Sequence, residues 1–206
     1  PNTVRGLWTE GNAKADSHEL TKAVAAAAEK QGAIIRIGEV IGVEGANGRV
    51  SGVRLDNTTL RCDGVILATG PWVTEFRHWI GCDIPIEPVR GELLFVKVTG
   101  SPVQHSYAWR AACIYGTGAN ELWLGGNEER AGFDTTPTEA ARSEILKKTS
   151  ELMPGMVIDR VINQISGLRP MAPDDLPILG LAPGWSNVCL ALGGGRKGML
   201  YGPAMG

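Results

Sequence analysis

The chain has 206 residues, 43% of them hydrophobic and 20% charged, with a formal net charge of −2. That length supports one large core or two small ones, and so balanced a charge gives no reason to invoke nucleic acid or an anionic membrane surface. No apolar run reaches membrane-spanning length and no signal-peptide pattern opens the chain.

Residues 1–15 have little pattern beyond Trp8 and the glycines. Asp16 or Ser17 then caps a helix, with Glu19 where a capping-box acid belongs. Leu20, Val24 and Ala27 give that helix an apolar face, and Gly32 ends it. Ala33–Ile37 reads as a short buried strand, so helix, glycine and strand resemble one half of a parallel α/β layer. Strands over about 39–44, 49–55 and 58–62 follow, the first two joined at Asn47-Gly48, a pair that accepts positive φ at both central turn positions. Asp63-Gly64-Val65-Ile66-Leu67-Ala68-Thr69-Gly70 is a continuous apolar strand ending in small residues, as strands buried on both faces do.

Pro71-Trp72 starts a short helix to about Ile80, and Pro85 and Pro88 mark a boundary. Val89–Val98 reads as a long strand, in which Arg90 and Glu92 are structural polar groups rather than catalysts. Two strands are expected at about 106–116 and 121–126. Thr136, Pro137 and Glu139 then open a helix whose buried face is Ala141, Ile145, Leu146, Thr149 and Leu152, stopped by Pro154-Gly155. Residues 157–166 alternate apolar and polar, as a half-solvated strand does.

The chemistry-bearing stretch begins at Ser166. Gly167-Leu168-Arg169-Pro170 is followed by Asp174-Asp175-Leu176-Pro177-Ile178-Leu179-Gly180. A short apolar strand, Val188–Leu192, then runs into Gly193-Gly194-Gly195-Arg196-Lys197-Gly198-Met199-Leu200. Each piece delivers one arginine from a glycine-containing turn, and two guanidiniums in one pocket would clamp a carboxylate through bidentate, charge-assisted hydrogen bonds. Gly193-x-Gly195-x-x-Gly198 also matches a dinucleotide-binding pattern. That pattern needs a βαβ unit of about 30 residues and an acid about 20 positions on, and the residues up to Gly206 supply neither. What remains is a strand, a glycine turn and a helix start near Gly198, whose unpaired N–H groups suit an anion or an electron-rich ring edge.

Together these segments resemble the closing part of the FAD-dependent D-amino-acid oxidase superfamily, in its glycine oxidase and sarcosine oxidase branch. There the segment reads G-L-R-P, D-x-x-P-x-I/L-G, a strand, then G-H-x-R-N-G. Gly194, Gly195 and Lys197 depart from that pattern, while order and spacing agree. The resemblance implies a mixed α/β (α+β) fold: an incomplete FAD-binding layered domain, 1–84 and 167–206, plus an antiparallel-sheet substrate domain, 85–166. It implies FAD as cofactor and a small amino-acid-like substrate oxidised at its C–N bond by hydride transfer to flavin N5.

The resemblance also assigns the site. Arg169 and Arg196 hold the substrate carboxylate. Cys113 stands where the branch places a tyrosine; either Tyr115, on the same side of its strand, substitutes for it or the pocket differs, which leaves the choice of amino acid open. Val40 lies by the adenine, Ala68, Thr69 and Gly70 near the phosphates, and Gly194, Gly195, Arg196, Lys197, Gly198, Met199 and Leu200 along the flavin.

No metal ligands are expected. Cys62, Cys82, Cys113 and Cys189 are scattered with no C-x-x-C, and read as buried thiols in a reducing cytoplasm. The histidines are far apart, and no G-x-S-x-G, H-E-x-x-H or Walker sequence supports a hydrolase or NTPase. The glycine-rich unit that opens the family's chains has no counterpart before Asp16. The chain is therefore expected to be the later portion of such an enzyme, or a non-catalytic module of the same fold that binds a carboxylate ligand or a partner protein without flavin. A homo-oligomer is equally compatible with the sequence.

Overall fold

The computed structural model describes residues 5–11 and 13–206. They divide into two compact units. A sheet unit contains the described residues up to Lys14 together with Pro88–Arg169, and a layered unit contains Ala15–Glu87 and Pro170–Gly206. The sequence places residues 1–14 and 167–169 with the cofactor layer and 85–87 with the sheet; the described residues of 1–14 and 167–169 cluster instead with the antiparallel sheet, and 85–87 with the layered unit. The physical ties are plain. Trp8 packs edge-on against His105, Lys14 donates to the Gly116 carbonyl, and the Arg169 guanidinium lies across Gly91.

In the layered unit, α1 (Ser17–Lys30) is capped by Asp16, whose carboxylate accepts from the His18 and Glu19 amides at 3.0 and 3.1 Å. Glu19 pairs with Lys22 rather than closing a capping box. Leu20 and Val24, the expected apolar face, are 40% and 61% exposed. Residues 33–37 form no strand, and Ile34, Ile35 and Ile37 face solvent. A strand pattern becomes a strand only where a neighbour takes its backbone hydrogen bonds. Among the described residues none does.

β1 (Val40–Ala46), β2 (Arg49–Leu55) and β3 (Thr58–Arg61) make an antiparallel meander. Asn47 and Gly48 both hold positive φ at its first turn, 52° and 70°. β4 (Val65–Leu67) leads through a 3-10 turn into α2 (Val73–Ile80), which ends at Gly81 in the left-handed region. β10 (Ile178–Leu181), which the sequence did not announce, pairs antiparallel with β11 (Val188–Leu192), and β11 pairs parallel with β4. The Asn187 side chain joins the two sheets, donating to Val50 O and Asp63 O and accepting from Val50 N. Val50, Leu67, Val73, Ile80, Val188, Leu190 and Leu192 form the core. A one-turn 3-10 segment then leads into α4 (Gly198–Met205).

The sheet unit is one five-stranded sheet, ordered β6-β7-β8-β5-β9, with α3 (Glu139–Leu152) on one face. Its strands are β5 (Glu87–Thr99), β6 (Ser106–Trp109), β7 (Ala112–Gly116), β8 (Glu121–Gly125) and β9 (Val157–Met171). The single strand expected over 106–116 is a hairpin, turned at Arg110 with φ 53°. Thr138, not Thr136, caps α3, its hydroxyl accepting from Ala141 N, so Pro137 precedes the helix. β9 runs through Arg169, which therefore projects from a strand and not from a turn. Leu94, Val96, Val98, Ile114, Leu122, Leu124 and Ile145 fill the space under α3.

Fully buried in the same unit is Glu92. Its carboxylate accepts from Thr138 N at 3.2 Å on both oxygens, from Thr138 Oγ1, and from Gln164 Nε2 at 2.6 Å. One anion so ties β5 to β9 and to the positive end of α3. Arg90, also buried, bonds Glu129, Asp134 and the Thr136 carbonyl. Among the described residues no helix is long and apolar enough to cross a membrane. Removing one partner of a buried, hydrogen-bonded charge costs about 3–5 kcal/mol, so Glu92→Ala is expected to lower urea-unfolding stability by that amount. Glu139→Ala, on the exposed face of α3, is expected to change it by less than about 0.5 kcal/mol.

Candidate cofactor and substrate sites

In the layered unit, the parallel register Val188↔Val65, Cys189↔Ile66 and Leu190↔Leu67 sends both chains out of the sheet at the same edge. Ala68-Thr69-Gly70 leaves from β4 and Gly193–Gly198 from β11. The carboxyl ends of adjacent parallel strands are where α/β layers hold nucleotide cofactors. Both turns need glycine: φ is +58° at Gly70, +73° at Gly193 and +50° at Gly195. A Cβ at Gly194 would sit 2.8 Å from Gly198 Cα, so this turn closes on itself before α4 begins.

Thr69 Oγ1 is buried with no hydrogen-bond partner in the protein, which suits a phosphate or ribose oxygen beside it. Met199 and Leu200, in the first turn of α4, are exposed, and Lys197 Nζ lies 5.9 Å from the Tyr201 ring centre. Arg196 donates to Asp175 Oδ1 at 2.9 Å in a half-exposed ion pair. Val40 stands opposite Leu55 in the meander, a different sheet from the β4 and β11 turns.

In the sheet unit, the face turned away from α3 carries two cross-strand rows. One is Ser106, Tyr115, Trp123 and Phe95; the other is Ala108, Cys113, Gly125 and Leu93. Phe95 and Trp123 stack with ring centres 4.8 Å apart. Gly91 follows Leu93 on this same side of β5, and over it lies Arg169 from β9. A Cβ at Gly91 would fall 1.9 Å from Arg169 Nη1, 2.2 Å from Cζ and 2.3 Å from Nη2. Arg169 Nη1 also reaches the Asn127 main-chain oxygen at 3.4 Å.

Tyr115 is held protonated. Its hydroxyl is pushed up to about 12, chiefly by burial, with the charge and hydrogen bond of Cys113 contributing and the Arg169 guanidinium opposing. Tyr115 and Cys113 are thus hydrogen-bonded neighbours, and the charge of Arg169 is felt at the phenol. Arg169 and Arg196 stand in different units, each with its own partners.

Gly91, Asn127, Phe95, Trp123 and Leu93 were not singled out from the sequence. The available signal was Leu93–Val96, apolar on both faces of the strand, which calls for two covered faces.

Two glycine turns leaving adjacent parallel strands at one edge mark the layered unit as one of the nucleotide-binding α/β class. The sequence matches the family of FAD dependent oxidoreductases over residues 1–206, and the chain belongs to that family. It is 28% identical over 166 residues to glycine oxidase of Pseudomonas putida, covering 81% of this chain and 46% of that protein. It is 30% identical over 198 residues to D-amino acid dehydrogenase of Paramagnetospirillum magneticum, covering 94% and 46%. The structure superposes on the crystal structure of glycine oxidase from Geobacillus kaustophilus with a TM-score of 0.80 at 25% identity, covering 91% of this chain and 51% of that one. The chain spans about half the length of the curated relatives it matches.

A phenol raised from 10.0 to about 12 on folding contributes stability that is complete below pH 10 and is lost as pH rises through about 12. Near-ultraviolet tyrosinate titration is expected to show one of Tyr107, Tyr115 and Tyr201 ionising last, and Tyr115→Phe to remove that step. Arg169→Ala, which deletes the lowering influence, is expected to move the step higher still.

Proposed function

We propose that this chain is the later portion of an FAD-dependent enzyme that oxidises the C–N bond of a small amino acid or N-methyl amino acid. Bound FAD supplies the hydride acceptor; the protein's own task is binding, orientation and exclusion of water. Arg169 anchors the substrate carboxylate with its planar fork. Tyr115, protonated throughout the neutral range, donates its hydroxyl hydrogen to the same group. Phe95, Trp123 and Leu93 give the face an apolar surround, in which a charge-assisted bond is stronger than in water.

For the cofactor, Thr69 and the Gly70 turn suit the phosphates, and the Gly193–Gly198 turn with the start of α4 presents N–H groups to the flavin edge. The helix-end field there favours negative charge, and with it the reduced ring. Arg196 belongs to this turn. Its exposed pairing with Asp175 is worth about 1 kcal/mol or less, so exchange for a ligand oxygen costs little. Val40 near the adenine follows from the resemblance alone.

The observation that carries the substrate assignment is the Arg169 guanidinium laid across Gly91, on the face that also carries the half-buried, protonated Tyr115. Support for a further α/β layer comes from the exposed Leu20, Val24, Ile34, Ile35, Ile37 and Ile66, apolar surface of the kind that packing elements cover. A compartment that keeps thiols reduced, the cytoplasm, is consistent with four free cysteines.

Purified as these 206 residues, the chain is expected to bind FAD weakly. A longer chain with a glycine-rich βαβ unit ahead of them is expected to be yellow and to be reduced by glycine, sarcosine, proline or D-alanine. In that longer protein Arg169→Ala is expected to raise KM for carboxylate substrates roughly 10- to 100-fold, the worth of a hydrogen bond to a charged group. An unchanged KM removes the anchor.

A further inference from the structure

Arg169 is held by its neighbours in an unusual way. Three atoms of its guanidinium lie within 2.3 Å of the point a Cβ at Gly91 would occupy, so the group rests directly on the β5 backbone. Beneath that floor the strand is pinned. Arg90 and Glu92 flank Gly91, both buried and pointing to the opposite side, where Thr138 and Gln164 donate to Glu92 and where Glu129 and Asp134 accept from Arg90. Asn127, 1% exposed, closes the arrangement: its side-chain oxygen accepts from Glu92 N at 2.8 Å, and its main-chain oxygen accepts from Arg169 Nη1. The lattice on one side of β5 therefore sets both surfaces that Arg169 touches on the other.

We infer that Gly91 is a positioning residue for the carboxylate anchor: its missing side chain sets how deep the Arg169 guanidinium sits, and the Asn127 carbonyl sets its rotation. This rests on the reading of Arg169 as the carboxylate anchor. The fork is useful only if both N–H groups point at one ligand carboxylate, and bidentate geometry tolerates little displacement. A methyl at Gly91 would push the guanidinium about 1.5 Å outward to reach ordinary contact. The backbone at Gly91 is outside the left-handed region, so alanine is compatible with the strand, and the atoms it meets are the far end of a flexible side chain. Gly91→Ala thus displaces the anchor and leaves the core under α3 intact.

The test uses the 206-residue chain and glycolate as a carboxylate probe, followed by NMR of isotopically labelled arginine Nε. The parent, Gly91→Ala, Arg169→Ala, Arg169→Lys and the two corresponding double variants are compared. In the parent, glycolate is expected to shift the Arg169 resonance saturably. Gly91→Ala is expected to weaken binding roughly 10-fold or more, the loss of one bond to a charged group, with an unchanged melting temperature. In the Arg169→Lys background, where no planar fork meets the methyl, Gly91→Ala is expected to change affinity less than about twofold, the signature of a coupled pair.

No saturable shift in the parent, or parent-like glycolate affinity in Arg169→Ala (followed by calorimetry), overturns the anchor reading and this inference with it. Weakening by Arg169→Ala with parent-like Gly91→Ala leaves the anchor and overturns the positioning role. Equal weakening by Gly91→Ala in both backgrounds also overturns it. Should Gly91→Ala alone fail to fold, the Gly91→Ala/Arg169→Ala double is expected to regain parent stability; if it does not, the contact account is wrong.

Discussion

A single buried carboxylate organises the sheet unit. Glu92 has no exposed surface, and an ion there is tolerable only because Thr138, Gln164 and the α3 N-terminus surround it. Those partners come from β9 and the helix start, distant in sequence from β5. Satisfying one anion therefore fixes the register of β5 against β9 and the height of α3 above both. The residues between take their places from that register: Gly91 bare on the other face, Arg169 across it, and Tyr115 with Cys113 two strands away. Charged burial of this kind is a costly route to stability and a good one to register, because a slip of one residue would leave the carboxylate without partners.

In the layered unit the corresponding constraint is the parallel pairing of β4 with β11. It is only three residues long, yet it sends two glycine turns out at one edge. At the opposite end of the pair, the Asn187 side chain ties the start of β11 to Val50 of the meander and to Asp63 ahead of β4 through three hydrogen bonds. The unpartnered Thr69 hydroxyl and the self-closing Gly194–Gly198 turn make sense as surfaces shaped for a cofactor.

Much of this was legible in the residues. The Asn47-Gly48 turn, the α1 cap, the small-residue exit of β4, the α3 face and the strand–glycine–helix ending follow from local chemistry, but β4 itself is three residues long with Ile66 70% exposed, not a strand buried on both faces. Cys113 and Tyr115 sharing one face of β7 followed from the period of a strand. What was not legible depends on partners far along the chain. Ala33–Ile37 has the composition of a strand but lacks a pairing neighbour among the described residues. β10 shows as a strand only because β11 receives it. Glycine and proline flanking Arg169 point to a turn, whereas its place in β9 is decided by pairing with β5. Gly91 read as an ordinary glycine in a strand, since nothing local says that a guanidinium will lie on it.

The central claim is that Arg169 recognises a carboxylate. Its most direct measurement is selectivity: kcat/KM for sarcosine against dimethylamine, which keeps the secondary amine and lacks the acid, in the FAD-loaded protein with and without Arg169→Ala. The account predicts a strong preference for sarcosine that the substitution collapses by roughly 10- to 100-fold through the loss of sarcosine turnover, with dimethylamine unaffected. A preference that survives Arg169→Ala, or one that was never present, would contradict it.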